Sequence, residues 1–260
     1  VSVRLRLSDL RARKPGGPPV ACMTAYDATF ARLMDEAGMD LLLVGDSLGM
    51  VLHGARDTLG VRLSDVIYHT RHVVEGSARA LVAADMPFMS YATPAQALGN
   101  AARLMAEGGA QAVKLEGGEW LAETVRLLVE RGIPVWGHVG LTPQSVHRLG
   151  GFRTVGRDGD EAAQVLADAT ALEAAGADLL LVECIPAALA RAVTAAARVP
   201  VIGIGAGPDC DGQILVCHDA LGLTPQPPAF VKDFLAGRGS VREALAAYVE
   251  AVQTRRFPAA

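Results

Sequence analysis

The stretch Ala37-Gly38-Met39-Asp40-Leu41-Leu42-Leu43-Val44-Gly45-Asp46 decides the fold. A small residue and a glycine stop a helix, a short aliphatic run without polar alternation reads as a strand buried on both faces, and an acid follows the strand. The same order returns as Gly108-Gly109-Ala110-Gln111-Ala112-Val113-Lys114-Leu115-Glu116 and as Ala175-Gly176-Ala177-Asp178-Leu179-Leu180-Leu181-Val182-Glu183. Other apolar runs extend the series, giving expected strands at 20–24, 41–44, 81–84, 112–115, 135–138, 179–182, 201–204 and 213–216. Amphipathic stretches lie between them. Residues 27–37 put Phe30, Leu33, Met34 and Ala37 on one helical face, and 94–107 begins with Thr93 as N-cap and Pro94 at the first helical position. Segments 119–130, 161–175 and 186–197 read as helices in the same way.

Buried strands alternating with helices predict an α/β chain folded as a (β/α)8 TIM barrel. An open doubly wound sheet is the rival, but its glycine-rich first turn is absent; Met23-Thr24-Ala25-Tyr26-Asp27 stands there. The 260 residues fit one such barrel, and no linker divides them. Two segments fall outside the repeat: a long insertion at about 45–64, of the kind that forms lids, and an extra amphipathic helix at about 240–255.

Composition narrows the function classes. Residues are 51% hydrophobic but only 5% aromatic, so the core is aliphatic and disorder is excluded. The net charge of −4 comes with no basic block, which argues against nucleic acid or an anionic membrane surface as partner. The longest apolar runs are too short to span a bilayer, and the first residues lack the apolar region of a secretory signal. Cys22, Cys184, Cys210 and Cys217 form no Cys-x-x-Cys pair, so free thiols and a cytoplasmic location are expected. Cys217-His218 alone falls short of the four ligands of a structural zinc site.

Strand C-termini of a barrel open on one face, so Asp46, Asp85, Glu116, His138 and Glu183 are expected to converge there. Side chains alternate along a strand, so Lys114 and Glu116 point the same way, whereas Cys184 points away from Glu183. Any one acid could simply cap a helix or face water. A set of them in one concave mouth repels itself unless a cation or a lysine intervenes. Carboxylates without a histidine cluster suit a hard cation such as Mg²⁺ better than Zn²⁺. His138 could contact substrate, assist proton transfer or serve as a structural hydrogen bonder, while His53, His69, His72 and His147 read as surface or packing residues. Gly203-Ile204-Gly205-Ala206-Gly207 suits either close backbone approach to a ligand or tight turning. Tyr26 could shape the pocket, and Asp27 could cap the helix that follows.

Segments in order along nearly the whole chain carry a resemblance. They include Met23-Thr24-Ala25-Tyr26-Asp27, Leu43-Val44-Gly45-Asp46-Ser47-Leu48-Gly49-Met50, Tyr68-His69-Thr70, Ala84-Asp85-Met86-Pro87-Phe88-Met89 and Val113-Lys114-Leu115-Glu116-Gly117-Gly118-Glu119-Trp120. Further along come Gly137-His138-Val139-Gly140-Leu141-Thr142-Pro143-Gln144-Ser145, Glu183-Cys184-Ile185-Pro186, Gly203-Ile204-Gly205-Ala206-Gly207 and Asp211-Gly212-Gln213. With these, the chain resembles the 3-methyl-2-oxobutanoate hydroxymethyltransferase family, also called ketopantoate hydroxymethyltransferases.

The resemblance implies a (β/α)8 barrel that assembles as a homo-oligomer, a decamer of two stacked rings. It implies transfer of a hydroxymethyl group from 5,10-methylenetetrahydrofolate to 3-methyl-2-oxobutanoate, giving 2-dehydropantoate on the way to pantothenate and coenzyme A. The family's Mg²⁺ ligands fall on Asp46, Asp85 and Glu116, its oxoacid contacts on Asp46, Ser47, Asp85 and Lys114, and its catalytic base on Glu183. Two places depart from the family pattern: Thr58-Leu59-Gly60-Val61-Arg62 in the insertion, where Gly60 and Arg62 differ, and Pro228-Ala229-Phe230, where Ala229 differs. Both bear on loop geometry and assembly. A C–C lyase acting on 2-oxo acids is a competing enzyme reading and would want a reactive loop cysteine. A non-catalytic binding protein on a decayed barrel is a third and would have lost the acids.

Overall fold

Eight aliphatic runs pair in parallel, and the last closes on the first to give a barrel in the order β1 to β8. The computed structural model describes residues 4–14 and 16–259. The strands are β1 (Val20–Thr24), β2 (Leu41–Val44), β3 (Leu81–Asp85), β4 (Ala112–Glu116), β5 (Val135–Gly140), β6 (Leu179–Glu183), β7 (Val201–Ile204) and β8 (Gly212–Leu215). The expected (β/α)8 architecture is therefore present. β3, β4 and β6 run one residue beyond their aliphatic runs, so Asp85, Glu116 and Glu183 belong to the ladder itself. Their neighbours hold them there: Asp85 pairs with Lys114, Glu116 with His138, and Glu183 with Gly140 and Ile204.

The helices are α1 (Leu7–Arg11), α2 (Ala28–Glu36), α3 (Leu48–Val51), α4 (Leu63–Gly76), α5 (Pro94–Ala106), α6 (Ala122–Glu130), α7 (Val146–Leu149), α8 (Gly159–Ala174), α9 (Ala187–Ala196), α10 (Cys217–Ala220) and α11 (Val241–Gln253). Caps set several starts. Asp27 accepts from the N–H groups of Thr29 and Phe30, which settles it as the α2 cap, and Thr93 accepts from Gln96 at α5. The insertion folds into α3 and a turn before α4. A Cβ at Gly60 would meet nothing within 4 Å, so no close approach requires the departure there.

Two features differ from a simple strand–helix alternation. Among the described residues, the connection 205–211 between β7 and β8 contains no helix. The terminal helix α11, expected as an extra element, packs on β1, β8 and α2, and so closes the helical ring between the last strand and the first.

Inside the barrel, Val20, Cys22, Leu41, Leu43, Leu81, Ala83, Ala112, Trp136, Leu179, Leu181, Ile202 and Ile214 form an apolar interior separate from the larger strand–helix core outside it. Helix α1 closes the end from which the strands start. Leu10 is fully buried with this interior group, and burial of a leucine side chain is worth roughly 1.5–3 kcal/mol. Around that plug, Arg11 pairs with Asp178, Arg13 with Asp40 and Lys14 with Asp211.

Those aspartates explain the first polar residue of the repeat. Asp40, Gln111, Asp178 and Asp211 each directly precede an even-numbered strand. Each accepts from a backbone N–H of the preceding strand: Ala21 at 3.1 Å, Val82 at 3.1 Å, Val135 at 3.3 Å and Val201 at 2.9 Å. Each also donates its own N–H to the carbonyl of that same residue. These reciprocal pairs satisfy strand-end groups that would otherwise be buried without partners.

Burial alone would raise the Asp40 carboxyl, but Arg13 and Arg79 outweigh it, and its pKa falls below the ordinary 3.8. A depressed folded-state pKa gives stability that is present above the unfolded value and lost as the pH falls through the folded one. Asp40→Asn should therefore cost about 3 kcal/mol in urea unfolding at pH 7, with the gap to the parent narrowing as the pH drops below 3.8. A gap that stays constant into strong acid would show that the Asp40 charge is not what matters.

Candidate active site

The apolar interior gives way to polar side chains as the strands reach their C-terminal ends. Asp85, Lys114, Glu116 and His138 are buried on β3, β4 and β5, and Asp46 is buried just past β2. Glu183 ends β6 with its side chain 16% exposed, the one acid of the group that reaches the opening. The residues expected to converge do so.

Lys114 is the hub. Its Nζ lies 2.7 Å from Asp85 Oδ1 and 3.5 Å from Glu116 Oε1. The opposite oxygen of Asp85 accepts the Asp46 backbone N–H at 2.9 Å. Ser47 Oγ is 2.9 Å from the Tyr26 hydroxyl, which places Tyr26 in the wall of the pocket. A Cβ at Gly45 would lie 2.9 Å from Ser47 Oγ and 3.5 Å from Asp85 Oδ2, so the glycine leaves the space between them clear. On the other side, His138 Nδ1 lies 3.4 Å from Glu116 Oε1 and Nε2 lies 3.3 Å from Glu183 Oε2. Gly140, at φ 94°, lets the chain turn over β6; a Cβ there would sit 2.5 Å from the Glu183 carbonyl oxygen.

The charges respond to this crowding. Burial would lower the Lys114 pKa, but Asp85, Glu116 and Asp46 outweigh it and hold the ammonium charged. Burial raises the Asp46 carboxyl well above its usual range, and the charges of Asp85 and Glu116 push it further. Asp85 also goes up, through burial and Glu116, despite the opposing ammonium. Glu116 goes down: burial opposes this, but Lys114, His138 and the Gln144 backbone N–H prevail. Burial and Lys114 both push His138 down, yet hydrogen bonds to Glu116 and Glu183 bring it up to about 9. One ring nitrogen cannot both accept from Lys114 and donate to Glu116. A protonated ring would be attracted to both carboxylates, at 3.4 Å from Glu116 and 3.3 Å from Glu183.

Four carboxyl groups thus face two cationic side chains, an imbalance that a divalent cation would remove. Apart from the Lys114 ammonium at 2.7 Å, Asp85 Oδ1 meets no donor among the described residues. Also among them, no three acidic, histidine or cysteine side chains converge closely enough to hold a metal by themselves. Buried oxygens with too few donors fit a hard cation that completes its shell from substrate and water, as Mg²⁺ does. The thiols have no comparable activation. Burial raises Cys22, and it pushes Cys184, Cys210 and Cys217 up to about 12, which leaves a cysteine-dependent lyase without its reactive group.

A family model described as ketopantoate hydroxymethyltransferase matches residues 4–260. The chain is 57% identical over 258 residues to the 3-methyl-2-oxobutanoate hydroxymethyltransferase of Shewanella loihica, covering 99% of this chain and 97% of that protein. It is 56% identical over 252 residues to the protein of the same name from Halorhodospira halophila, covering 97% and 92%. Among solved structures, 2,3-dimethylmalate lyase, a PEP mutase/isocitrate lyase superfamily member, matches with a TM-score of 0.59 at 20% identity, over 83% of this chain and 82% of that one. That last likeness is one of fold.

Two residues of the site carry no strong signal in the sequence. Gln144 and Tyr91 are buried polar side chains in loops; Gln144 donates to the Asp46 carboxylate, and Tyr91 to Gln144 and the Glu116 backbone carbonyl. Thr142-Pro143-Gln144 lies in a segment that carries the resemblance, but the resemblance assigns Gln144 no role. The hub itself is testable. Lys114→Met should lower the unfolding free energy at neutral pH by about 3 kcal/mol, because the acids lose their ammonium while staying buried. An unchanged urea midpoint would show that the acids do not depend on it.

Proposed function

Because the chain belongs to the ketopantoate hydroxymethyltransferase family and is an enzyme of that transferase class, we propose that it moves a hydroxymethyl group from 5,10-methylenetetrahydrofolate to C3 of 3-methyl-2-oxobutanoate. The product is 2-dehydropantoate, and water supplies the hydroxyl oxygen as tetrahydrofolate leaves. The observation that carries this reading is the buried trio Asp46, Asp85 and Glu116 around Lys114, with Glu183 alone at the opening.

Asp46, Asp85 and Glu116 would hold Mg²⁺. When bound, the ion supplies Lewis-acid stabilisation of the negative charge that develops on the keto oxygen. The chain's own groups do the rest. The Lys114 ammonium, held charged by its carboxylates, attracts the anionic oxygens of the oxoacid, and Asp46 and Ser47 line the same space. Glu183 takes the proton from C3. Its carboxylate lies 3.3 Å from His138 Nε2 and, with its side chain 16% exposed, stays open to substrate. His138 in this role is an electrostatic link between Glu116 and Glu183. The apolar layers beneath keep water from the floor of the site, which strengthens each of these interactions.

We also propose that the protein works as a homo-oligomer, the decamer that the resemblance implies. Exposed apolar side chains such as Trp120, Tyr68 and Met89 support association. A cytoplasmic location is supported by four free cysteines. Among the described residues, no helix is long and apolar enough to cross a membrane.

The reaction is tested by incubating the protein with 3-methyl-2-oxobutanoate, methylenetetrahydrofolate and Mg²⁺ and following 2-dehydropantoate. Absence of product from folded, metal-loaded protein would sink the proposal. The base is tested without folate, by deuterium exchange at C3 of the oxoacid. Glu183→Gln should lose exchange by about 10²–10⁴-fold, whereas parent-like exchange would remove Glu183 from that role.

A further inference from the structure

We infer that Gln144 is a positioning residue that aims the Asp46 and Glu116 carboxylates, and that Tyr91 locks the orientation of its amide. The inference rests on the reading of those acids as holding a divalent cation.

Gln144 sits in the 3₁₀ turn Pro143–Ser145, just after β5, and is 5% exposed. Its backbone N–H donates to Glu116 Oε2 at 3.0 Å. Its side-chain Nε2 donates to Asp46 Oδ2 at 2.8 Å and to the Met86 carbonyl at 3.0 Å. The remaining amide atom, Oε1, accepts from the Tyr91 hydroxyl at 2.5 Å. One residue thus spans the ends of β2, β3, β4 and β5 and fixes one oxygen of each of two candidate ligands. The other oxygen of Glu116 faces Lys114 and His138.

The orientation of the amide is not free. A flipped amide would set Oε1 against the Asp46 carboxylate and the Met86 carbonyl, leaving acceptors against acceptors in a buried site. Tyr91 adds a positive reason for the same orientation, because its O–H needs an acceptor where Oε1 lies. The Tyr91 hydroxyl also lies 3.2 Å from the Glu116 carbonyl, a longer contact than the one to Gln144. A residue that only anchored its loop would need no donor aimed at Asp46. Partners of this kind, one bond removed from a metal, set ligand direction and commonly change metal affinity by about 10–100-fold when removed.

The test uses the full-length parent, Gln144→Met, Tyr91→Phe and the double variant. Free Mn²⁺ is followed by electron paramagnetic resonance as the metal is titrated into each protein, alongside kcat and KM for the oxoacid. Gln144→Met keeps the size of the side chain and the backbone bond to Glu116 but removes the bonds to Asp46 and Met86. Its Mn²⁺ affinity should fall about 10–100-fold. Tyr91→Phe should fall by less, and the double variant should bind no worse than Gln144→Met, because Tyr91 acts through Gln144. Unchanged affinity in folded Gln144→Met overturns the inference, as do losses that multiply in the double variant. Should Gln144→Met fail to fold, parent-like affinity in Tyr91→Phe overturns it equally. A parent that binds no Mn²⁺ removes the metal reading, and this inference with it. A parent that binds while Gln144→Met binds equally well removes only this inference.

Discussion

Negative charge crowded into a low-dielectric space is the constraint around which the mouth of this barrel is organised. Asp46, Asp85 and Glu116 lie within reach of one ammonium, and water does not screen them. Each compensating group is tied to that problem. Lys114 stands between Asp85 and Glu116, His138 bridges Glu116 to Glu183, and the Gln144 amide and backbone donate to Asp46 and Glu116. Asp46 has only the Gln144 amide as its direct donor, and burial with the charges of Asp85 and Glu116 pushes its carboxyl up. Carboxylates with so few positive partners suit a divalent cation.

The opposite end of the barrel solves a different electrostatic problem with the same residue type. Asp40, Asp178 and Asp211 also accompany strands, but each has a backbone N–H to accept and a cation from the α1 region to pair with. Asp40 is as deeply buried as any acid of the mouth, yet its pKa moves down where those of Asp46 and Asp85 move up. Arg13 and Arg79 make the difference, since burial alone acts in the same direction at both ends. The acids before the strands are balanced where they sit, and Asp46 and Asp85 at the other end are not. That contrast separates the structural end of the barrel from its reactive end.

Between the two ends, aliphatic layers insulate the charges. The interior holds little besides Leu, Val, Ile, Ala and Cys side chains, with Trp136 beneath the polar layer. This is where an aliphatic composition acquires a chemical role. Side chains that form a dry floor cannot solvate an exposed carboxylate, so every acid above them depends on its neighbours.

Much of this was legible in the sequence. Period, run length and helix-stopping glycines specify strands buried on both faces, and enough such strands alternating with helices admit few closed arrangements. The acids of the mouth follow from the same repeat, because strand ends of a barrel share one face. Other features needed the folded chain. The polar residue just before β2, β4 and β6 carries no such signal, because it acts through a backbone group of the preceding strand, distant in sequence. The terminal helix read as an addition because a sequence shows no ring to be closed, whereas packing on β1, β8 and α2 makes it part of one. Gln144 and Tyr91 were silent because their meaning lies in bonds to residues on other loops. The sequence by itself determined which residues carry charge and which strands bring them to one face, since both depend on local periodicity. Only the tertiary structure decided which charges are compensated and by whom, because electrostatic balance depends on distances between parts of the chain that no local pattern records.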